Sequence, residues 1–279
     1  MNLHVINAGF FKLDGGAMFG VVPKSIWEKS NRPDENNLCE WAMRCLLIEH
    51  GQKRILIDNG IGDKQDEKFF RHYYLHGETN IEKALNVSGF SGQDITDMFL
   101  THLHFDHCGG GILRRGDKFD LTFKNASYWS NADHWKWATI PNAREKASFI
   151  PDNILPIKES GNLQFIDLSK PSPFSEFDIF TASGHTDKMM IPMIRYKEKT
   201  ICFMADLLPS VGHIPLPYIM GYDTRPLITL EEKERFLGEA ADKQYILFLE
   251  HDPVNECCTV KRTEKGVRLD QTFKLREIL

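Results

Sequence analysis

Short apolar runs alternate with polar, glycine-containing turns along most of the chain, which is the pattern of a sheet-rich fold. Residues 41–48 (WAMRCLLI) and 54–58 (RILID) flank the turn at His50-Gly51-Gln52. They predict two strands buried on both faces, because polar positions do not alternate with the apolar ones. Strands are also predicted in the first half at 3–7, 98–100, 119–123 and 127–129.

The second half continues the same alternation, with strands predicted at 163–166, 177–181, 189–196, 200–205 and 245–249. Helical segments are predicted at 66–76, 80–88, 91–95, 133–139 and from Thr229 to about Lys243. Asn131 is a candidate N-cap for 133–139, and Thr229 with Glu232 has the spacing of a capping box. Prolines make 140–156 an expected irregular excursion or broken helix. The mixture predicts an α/β protein.

Composition narrows the function classes. The chain has 279 residues, of which 42% are hydrophobic, enough for one large domain spanning 1–279. A net charge of −5 gives no general attraction to nucleic acid or to an anionic membrane. The N-terminal segment lacks the features of a signal peptide, and no apolar run approaches the roughly 18 residues of a membrane span. We therefore expect a cytoplasmic monomer or homodimer with no nucleic-acid or membrane partner.

Cysteine usage agrees with that compartment. The six cysteines follow neither zinc-finger nor disulfide-framework spacing, which predicts buried, reduced thiols. Cys108 lies inside a histidine-rich motif and directly follows His107, and we interpret it as a small packing residue and not as a metal ligand.

The densest chemistry lies at 99–111 (FLTHLHFDHCGGG), straight after an apolar run. His102 and His104 can converge because alternate residues of an extended strand project to one face. A turn would then bring Asp106 and His107 back to the same place. Imidazole and carboxylate groups together suit zinc and similar divalent ions. The sequence therefore predicts a metal centre at this motif.

The segment THLHFDHCGG resembles the H-x-H-x-D-H signature of the metallo-β-lactamase superfamily of hydrolases. The resemblance covers about 3–251 and implies an α/β fold, a four-layer αβ/βα sandwich of two mixed sheets flanked by helices. It implies three later ligands: His185 in TASGHTD, Asp206 in CFMADLLPS and His251 in LFLEHDP. Asp58 matches the strand-end aspartate that supports the metal loop through hydrogen bonds in this family.

The resemblance also implies how the ligands divide between two divalent ions. His102, His104 and His185 would hold the first ion. The second ion would be held by Asp106, His107 and His251, and Asp206 would bridge the two. Zinc is the expected metal, with manganese, iron or cobalt as alternatives. Such a pair lowers the pKa of a shared water, and the resulting hydroxide is the expected nucleophile.

The substrate class follows by comparison within the family. Glyoxalase II carries a helical substrate domain after its last metal histidine, and the 28 residues after His251 leave no room for one. RNA-processing and flavin-carrying members have further domains, and true β-lactamases are secreted. The expected function is therefore lactone or carboxylic-ester hydrolysis, as in acyl-homoserine lactonases and methyl-parathion-type esterases. Thioester, phosphotriester or β-lactam hydrolysis is the alternative. A second alternative is an iron-binding sensor or dioxygenase.

Residues that contact the substrate are harder to predict. Asp106 is a candidate proton relay, and His213 is a candidate donor to the substrate carbonyl or leaving group; Tyr218 and Tyr222 compete with His213 for that role. An apolar wall for the substrate is predicted from four residues, whose alternative role is packing at the sheet edge: Phe10, Phe11, Met18 and Phe19. His134 is expected on a helix surface.

Overall fold

Fourteen strands and eight α-helices make up the computed structural model, which describes residues 1–279. The strands are β1 Asn2–Asp14, β2 Leu38–His50, β3 Lys53–Ile57, β4 Asp97–Phe99, β5 Ile112–Arg115, β6 Lys118–Leu121, β7 Ser127–Ser130, β8 Leu163–Phe165, β9 Phe177–Ala182, β10 Met189–Tyr196, β11 Lys199–Phe203, β12 Ile246–Phe248, β13 Cys257–Thr263 and β14 Gly266–Phe273. The helices are α1 Gly15–Phe19, α2 Lys24–Trp27, α3 Glu67–Phe70, α4 Ile81–Val87, α5 Phe105–Cys108, α6 Ala132–Thr139, α7 Pro151–Glu159 and α8 Pro226–Lys243.

The contacts within the chain divide it into two compact units. The first unit comprises Met1–Phe10 and Met43–Pro173, and the second comprises Phe11–Ala42 and Phe174–Leu279. Strands β1 and β2 run through the division, so each unit includes part of both. The expectation of one domain over 1–279 stays a prediction.

The first unit is built on a mixed six-stranded sheet in the order β1-β2-β3-β4-β7-β8. β2 and β3 are antiparallel, whereas β3, β4, β7 and β8 pair in parallel. Ile57 pairs with Phe99 at the carboxyl ends of β3 and β4. The loops that follow these two parallel strands therefore leave the same edge of the sheet, and they carry Asp58 and the histidine motif.

The second unit is built on a mixed sheet in the order β14-β13-β12-β11-β10-β9. β11 and β12 are its parallel pair, with Phe203 opposite Phe248. Asp206 and His251 each lie a few residues beyond these paired ends. Their side chains consequently emerge beside each other, because parallel strands end at the same edge.

Most predicted strands are confirmed, with shifts at their ends. β1 is longer than predicted, and β13 and β14 follow the strand that we expected to be the last buried one. In the segment predicted to be irregular, Pro151 starts α7 from its first turn, where proline is tolerated. The helix predicted over 66–76 is limited to Glu67–Phe70, and hydrogen-bonded turns follow it.

The predicted capping box at Thr229 is wrong. Helix α8 begins at Pro226, so Thr229 lies inside its first turns. The carboxylate of Glu232 instead accepts hydrogen bonds from the backbone N–H groups of Ser183 and Gly184, at 2.7 and 3.0 Å. Glu232 thus holds the loop that carries His185, which sequence spacing alone did not indicate.

All six cysteines are free and buried, as expected. Cys108 donates to the carbonyl of Leu103, consistent with a packing role. None of the helices combines the length and the apolar composition that crossing a membrane requires.

Candidate metal centre

In the first unit, the loop after β4 gathers four buried donor side chains, which we call the first-unit cluster: His102, His104, Asp106 and His107. Nε2 of His102 lies 3.1 Å from Nδ1 of His104. The short helix α5 carries Asp106 and His107 and turns the chain back, so that Asp106 Oδ2 lies 3.7 Å from His107 Nε2. The extended segment followed by a turn is the local structure that the motif predicts.

Asp58 fixes this loop through three hydrogen bonds. Its carboxylate accepts from the backbone N–H of Thr101 at 2.8 Å, from the Thr101 hydroxyl at 2.6 Å and from His107 Nδ1 at 3.0 Å. Asp58 is fully buried, so these donors compensate for the loss of water around the charge. Asp58 therefore anchors both Thr101 and His107.

The glycines after the motif allow two backbones to meet. A Cβ on Gly109 would lie 2.1 Å from the Ile61 carbonyl oxygen, and one on Gly110 would lie 2.2 Å from the Asn59 carbonyl oxygen. The backbone N–H of Asn59 donates to the His107 carbonyl at 2.9 Å. Lys64 Nζ also donates to the carbonyl of Gly109. Any side chain at 109 or 110 would therefore separate the Asp58 loop from the metal motif.

Two residues near the motif were missed or misjudged. His134 is only 1% exposed, and its Nε2 accepts from the Leu103 backbone N–H, so placing it on a helix surface was wrong. Glu145 is 3% exposed, and its Oε1 lies 3.4 Å from His104 Nε2. No motif marks Glu145, because it lies in an irregular segment far along the chain from His104.

In the second unit, three buried side chains form what we call the second-unit cluster: His185, Asp206 and His251. Oδ2 of Asp206 lies 3.0 Å from His185 Nε2, and Oδ1 lies 2.9 Å from His251 Nε2. Each carboxylate oxygen thus has a different imidazole nitrogen beside it. A carboxylate shared in this way can serve two cations at once.

The charge of this second-unit cluster favours a bound cation. Burial opposes protonation of His185, yet the carboxylates of Asp206 and Asp223 together raise its pKa to about 10. The two carboxylates therefore create a negative electrostatic potential at the His185 ring. A divalent ion would satisfy the same carboxylates.

Four of the five histidines in the two clusters have the ring nitrogen that faces away from their cluster engaged by a hydrogen-bond partner. Nδ1 of His102 contacts the Thr101 hydroxyl at 3.1 Å, and Nδ1 of His107 contacts Asp58 at 3.0 Å. In the second unit, Nδ1 of His185 contacts Asp223 at 2.8 Å and Nδ1 of His251 contacts the Ala42 carbonyl at 2.7 Å. Acceptors at Nδ1 keep the proton there and leave Nε2 to bind a metal. The donor set therefore fits divalent ions.

The loop around His185 is also closely packed. A Cβ on Gly184 would lie 2.2 Å from the backbone nitrogen of Thr229, so glycine is required where this loop crosses α8. The carbonyl of Gly184 accepts from Arg225, whose side chain also pairs with Asp187 at 2.6 Å. Asp187 is thus part of the anchoring of this loop.

His213 is buried in the second unit, where it stacks on a neighbouring ring and forms hydrogen bonds. Its ring stacks on Phe19 with centroids 4.4 Å apart. Nδ1 contacts the Ser210 hydroxyl at 2.9 Å, and Nε2 contacts the Met18 carbonyl at 3.0 Å. Burial lowers the pKa of His213 to about 3, so the ring is neutral at physiological pH. These contacts favour a packing role over the predicted role as a donor to substrate, which stays a prediction.

The residues predicted to contact the substrate fall into a buried group and an exposed group. Phe11, Met18 and Phe19 are buried, and Phe19 is stacked between Trp27 and His213. The alternative role of packing thus describes these three. Phe10 is partly exposed and stacks on His76, Tyr218 is partly exposed, and Tyr222 is 39% exposed.

Comparison with known proteins defines the class. The model of the metallo-beta-lactamase superfamily matches residues 44–251, which include both clusters. The chain belongs to the metallo-β-lactamase superfamily, and it has the mixed-sheet fold of that superfamily's hydrolases.

Two solved structures resemble the whole chain. A probable metal-dependent hydrolase from Staphylococcus aureus is 30% identical, with a TM-score of 0.87 over 98% of this chain and 96% of that one. AidC, a dizinc quorum-quenching lactonase, is 25% identical, with a TM-score of 0.81 over 98% of this chain and 95% of AidC.

Curated relatives match over shorter segments. An N-acyl homoserine lactonase of Bacillus cereus is 26% identical over 128 residues, which is 39% of this chain and 48% of the lactonase. The chain spans about half or less of the length of the curated relatives it matches.

Proposed function

We propose that this chain is a dinuclear-metal hydrolase that opens a lactone or cleaves a carboxylic ester. The observation that carries the proposal is the position of Asp206, whose two oxygens lie 3.0 and 2.9 Å from the Nε2 atoms of His185 and His251. A carboxylate held in this way is suited to bridging two ions.

The proposed ligands are those implied by the resemblance to the superfamily. One ion is assigned to His102, His104 and His185, the other to Asp106, His107 and His251, with Asp206 shared. When bound, a pair of divalent ions acidifies water to a nucleophile near neutral pH and polarises a substrate carbonyl. Zinc is the proposed metal, because AidC is a dizinc enzyme and imidazole with carboxylate suits zinc.

The protein's own contribution is to fix its donor atoms before substrate arrives. Asp58 and Asp223 accept from the Nδ1 atoms of His107 and His185, which raises the basicity of the opposite nitrogens. The buried surroundings of both clusters exclude bulk water and strengthen their electrostatics. Asp106, on the short helix α5, is the proposed proton relay to the leaving oxygen.

The substrate class rests on relatives. AidC is a lactonase solved with a product, N-hexanoyl-L-homoserine, and the Bacillus cereus relative is an N-acyl homoserine lactonase. We therefore propose a small lactone or ester with an apolar portion. Of the residues predicted to contact it, Phe10, Tyr218 and Tyr222 retain exposed surface, whereas the buried ones act through packing.

The test is a side-by-side hydrolysis assay of lactones, carboxylic esters, thioesters, β-lactams and phosphotriesters on protein of known metal content. Lactone or ester turnover that disappears with the metal supports the proposal. Asp206→Ala should abolish it. Asp97→Asn is a matched control, because Asp97 accepts from the Trp129 indole at 2.8 Å and contacts no histidine of either cluster. Turnover confined to another substrate class, or iron with oxygen chemistry, would contradict it.

A further inference from the structure

Glu145 lies outside the two clusters, and it engages a different ring nitrogen from the other outside partners of the cluster histidines. His102, His107, His185 and His251 are engaged at Nδ1, whereas Glu145 faces Nε2 of His104 at 3.4 Å. The atom of His104 that points at His102 is Nδ1, at 3.1 Å from His102 Nε2. The His104 ring therefore has the opposite orientation, with Nδ1 facing His102 and Nε2 facing Glu145.

The position of Glu145 is itself held by two donors. Its Oε2 accepts from the Trp137 indole N–H at 2.7 Å and from the Asn142 side-chain amide at 2.8 Å. Its Oε1 faces His104. Because Glu145 is 3% exposed, this arrangement is shielded from water, which strengthens each of these hydrogen bonds.

We propose that Glu145 is a positioning residue that selects Nδ1 as the metal-binding atom of His104. A carboxylate has no hydrogen to donate, so a hydrogen bond to it places the ring proton on Nε2. Nδ1 then keeps its lone pair on the side where His102 Nε2 lies. The proposal rests on the metal site proposed above, and it adds the residue that fixes the orientation and tautomer of one ligand.

The substitution Glu145→Gln should change the tautomer of His104. Trp137 and Asn142 both donate to the position of Oε2, so the single amide oxygen of Glu145→Gln takes that position. The amide NH2 then faces His104 Nε2 and donates to it. The ring proton has to move to Nδ1, where it blocks metal binding. Glu145→Ala also removes the charge, but it presents no donor to His104.

The experiment measures the dissociation constants of both zinc ions by chelator competition in the full chain. Wild type, Glu145→Gln, Glu145→Ala and the control Asp97→Asn are compared, and thermal melting verifies that each is folded. Glu145→Gln should weaken one ion by roughly 10- to 100-fold. Glu145→Ala should weaken the same ion less, and Asp97→Asn should match wild type. With Co²⁺ in place of zinc, the visible absorption of the same single ion should change in Glu145→Gln.

The proposal is overturned if Glu145→Gln binds both ions as wild type does, if it is no weaker than Glu145→Ala, or if both ions weaken equally. The second of these outcomes would reduce the role of Glu145 to its charge. A wild-type chain that binds no divalent ion would overturn the proposed metal site and this role with it. Because that result is seen in wild type itself, it is distinct from a failure of Glu145 alone.

Discussion

Oδ2 of Asp58 lies 3.0 Å from Nδ1 of His107, and neither side chain is exposed to solvent. The same carboxylate receives the backbone N–H and the hydroxyl of Thr101, which precedes the first histidine of the motif. Asp58, directly after β3, thus anchors Thr101 and His107 on either side of the first two motif histidines.

Asp58 is not a proposed metal ligand. Replacing it should nevertheless weaken metal binding, because it holds the residues around the ligands. In Asp58→Ala, the N–H of His107 and both donors of Thr101 lose their acceptor, and His107 loses the partner that sets its tautomer. We expect metal affinity to fall by roughly 10- to 100-fold. Chelator competition measures this directly. Affinity equal to that of the Asp97→Asn control would contradict the supporting role.

Gly110→Ala tests the close approach behind the motif. Its Cβ would lie 2.2 Å from the Asn59 carbonyl oxygen, which is backbone and cannot rotate away. We expect a loss of about 2 kcal/mol or more in the free energy of unfolding, together with reduced metal content. Chemical denaturation and elemental analysis provide the two readouts.

Gly238→Ala is the matched control for that substitution. Gly238 lies inside α8, and its added Cβ would approach only the flexible end of Arg262, at 3.2 Å. Alanine has the higher helix propensity, so this variant should be as stable as wild type or more stable. Equal behaviour of the two alanine variants would refute the packing argument for Gly110.

The variant His213→Ala tests whether the His213 ring stabilises the fold or acts in catalysis. Removing this ring deletes its stacking on Phe19 and its hydrogen bonds to Ser210 and Met18, so we expect a loss of roughly 2–4 kcal/mol in unfolding free energy. The folded fraction should keep kcat within about tenfold of wild type, since general acid–base groups contribute ~100-fold or more. A larger fall in kcat at unchanged stability would instead assign His213 the role of donor.

Lys233 should make the free energy of unfolding increase as pH rises into the alkaline range. Its Nζ is buried and donates to the carbonyls of Pro215 and Tyr218, and burial lowers its pKa to about 7, with Asp223 acting in the opposite direction. Between this pKa and the usual value near 10.4, the unfolded chain binds more protons than the folded chain. The contribution of Lys233 to stability should therefore rise with pH across this window and stay constant below it.

Melting temperatures of wild type and Lys233→Met, measured from pH 6 to pH 10, test this dependence. Wild type should gain stability relative to the variant as pH rises. Lys243→Met is the control, because Lys243 is exposed and pairs with Glu239, which raises its pKa instead. A difference between wild type and Lys233→Met that does not change with pH would contradict a lowered pKa for Lys233.

The sequence predicted what local patterns encode. Apolar runs placed β2, β3 and β10, and the motif spacing placed His102 and His104 side by side because strand alternation requires it. These features depend on residues close together in the chain. His185 and Asp206, by contrast, were predicted from the resemblance to the metallo-β-lactamase superfamily and not from a local pattern.

The remaining features depend on long-range contacts that no local pattern specifies. Glu232 has capping-box spacing, yet its carboxylate binds the backbone of Ser183 and Gly184 about fifty residues away. Glu145 meets His104 across 41 positions. Phe19 was predicted to line a substrate pocket because it is apolar, but its stacking on Trp27 and His213 buries it. A single sequence does not reveal which distant partner an isolated polar or aromatic residue will meet.

The number of divalent ions bound per chain distinguishes a dinuclear centre from a single-ion site. Elemental analysis of the purified full chain should find two divalent ions per chain. It should find fewer in Asp206→Ala, which lacks the carboxylate placed between His185 and His251. One ion or none in the wild-type chain, or two in Asp206→Ala, would contradict a pair of cations bridged by Asp206.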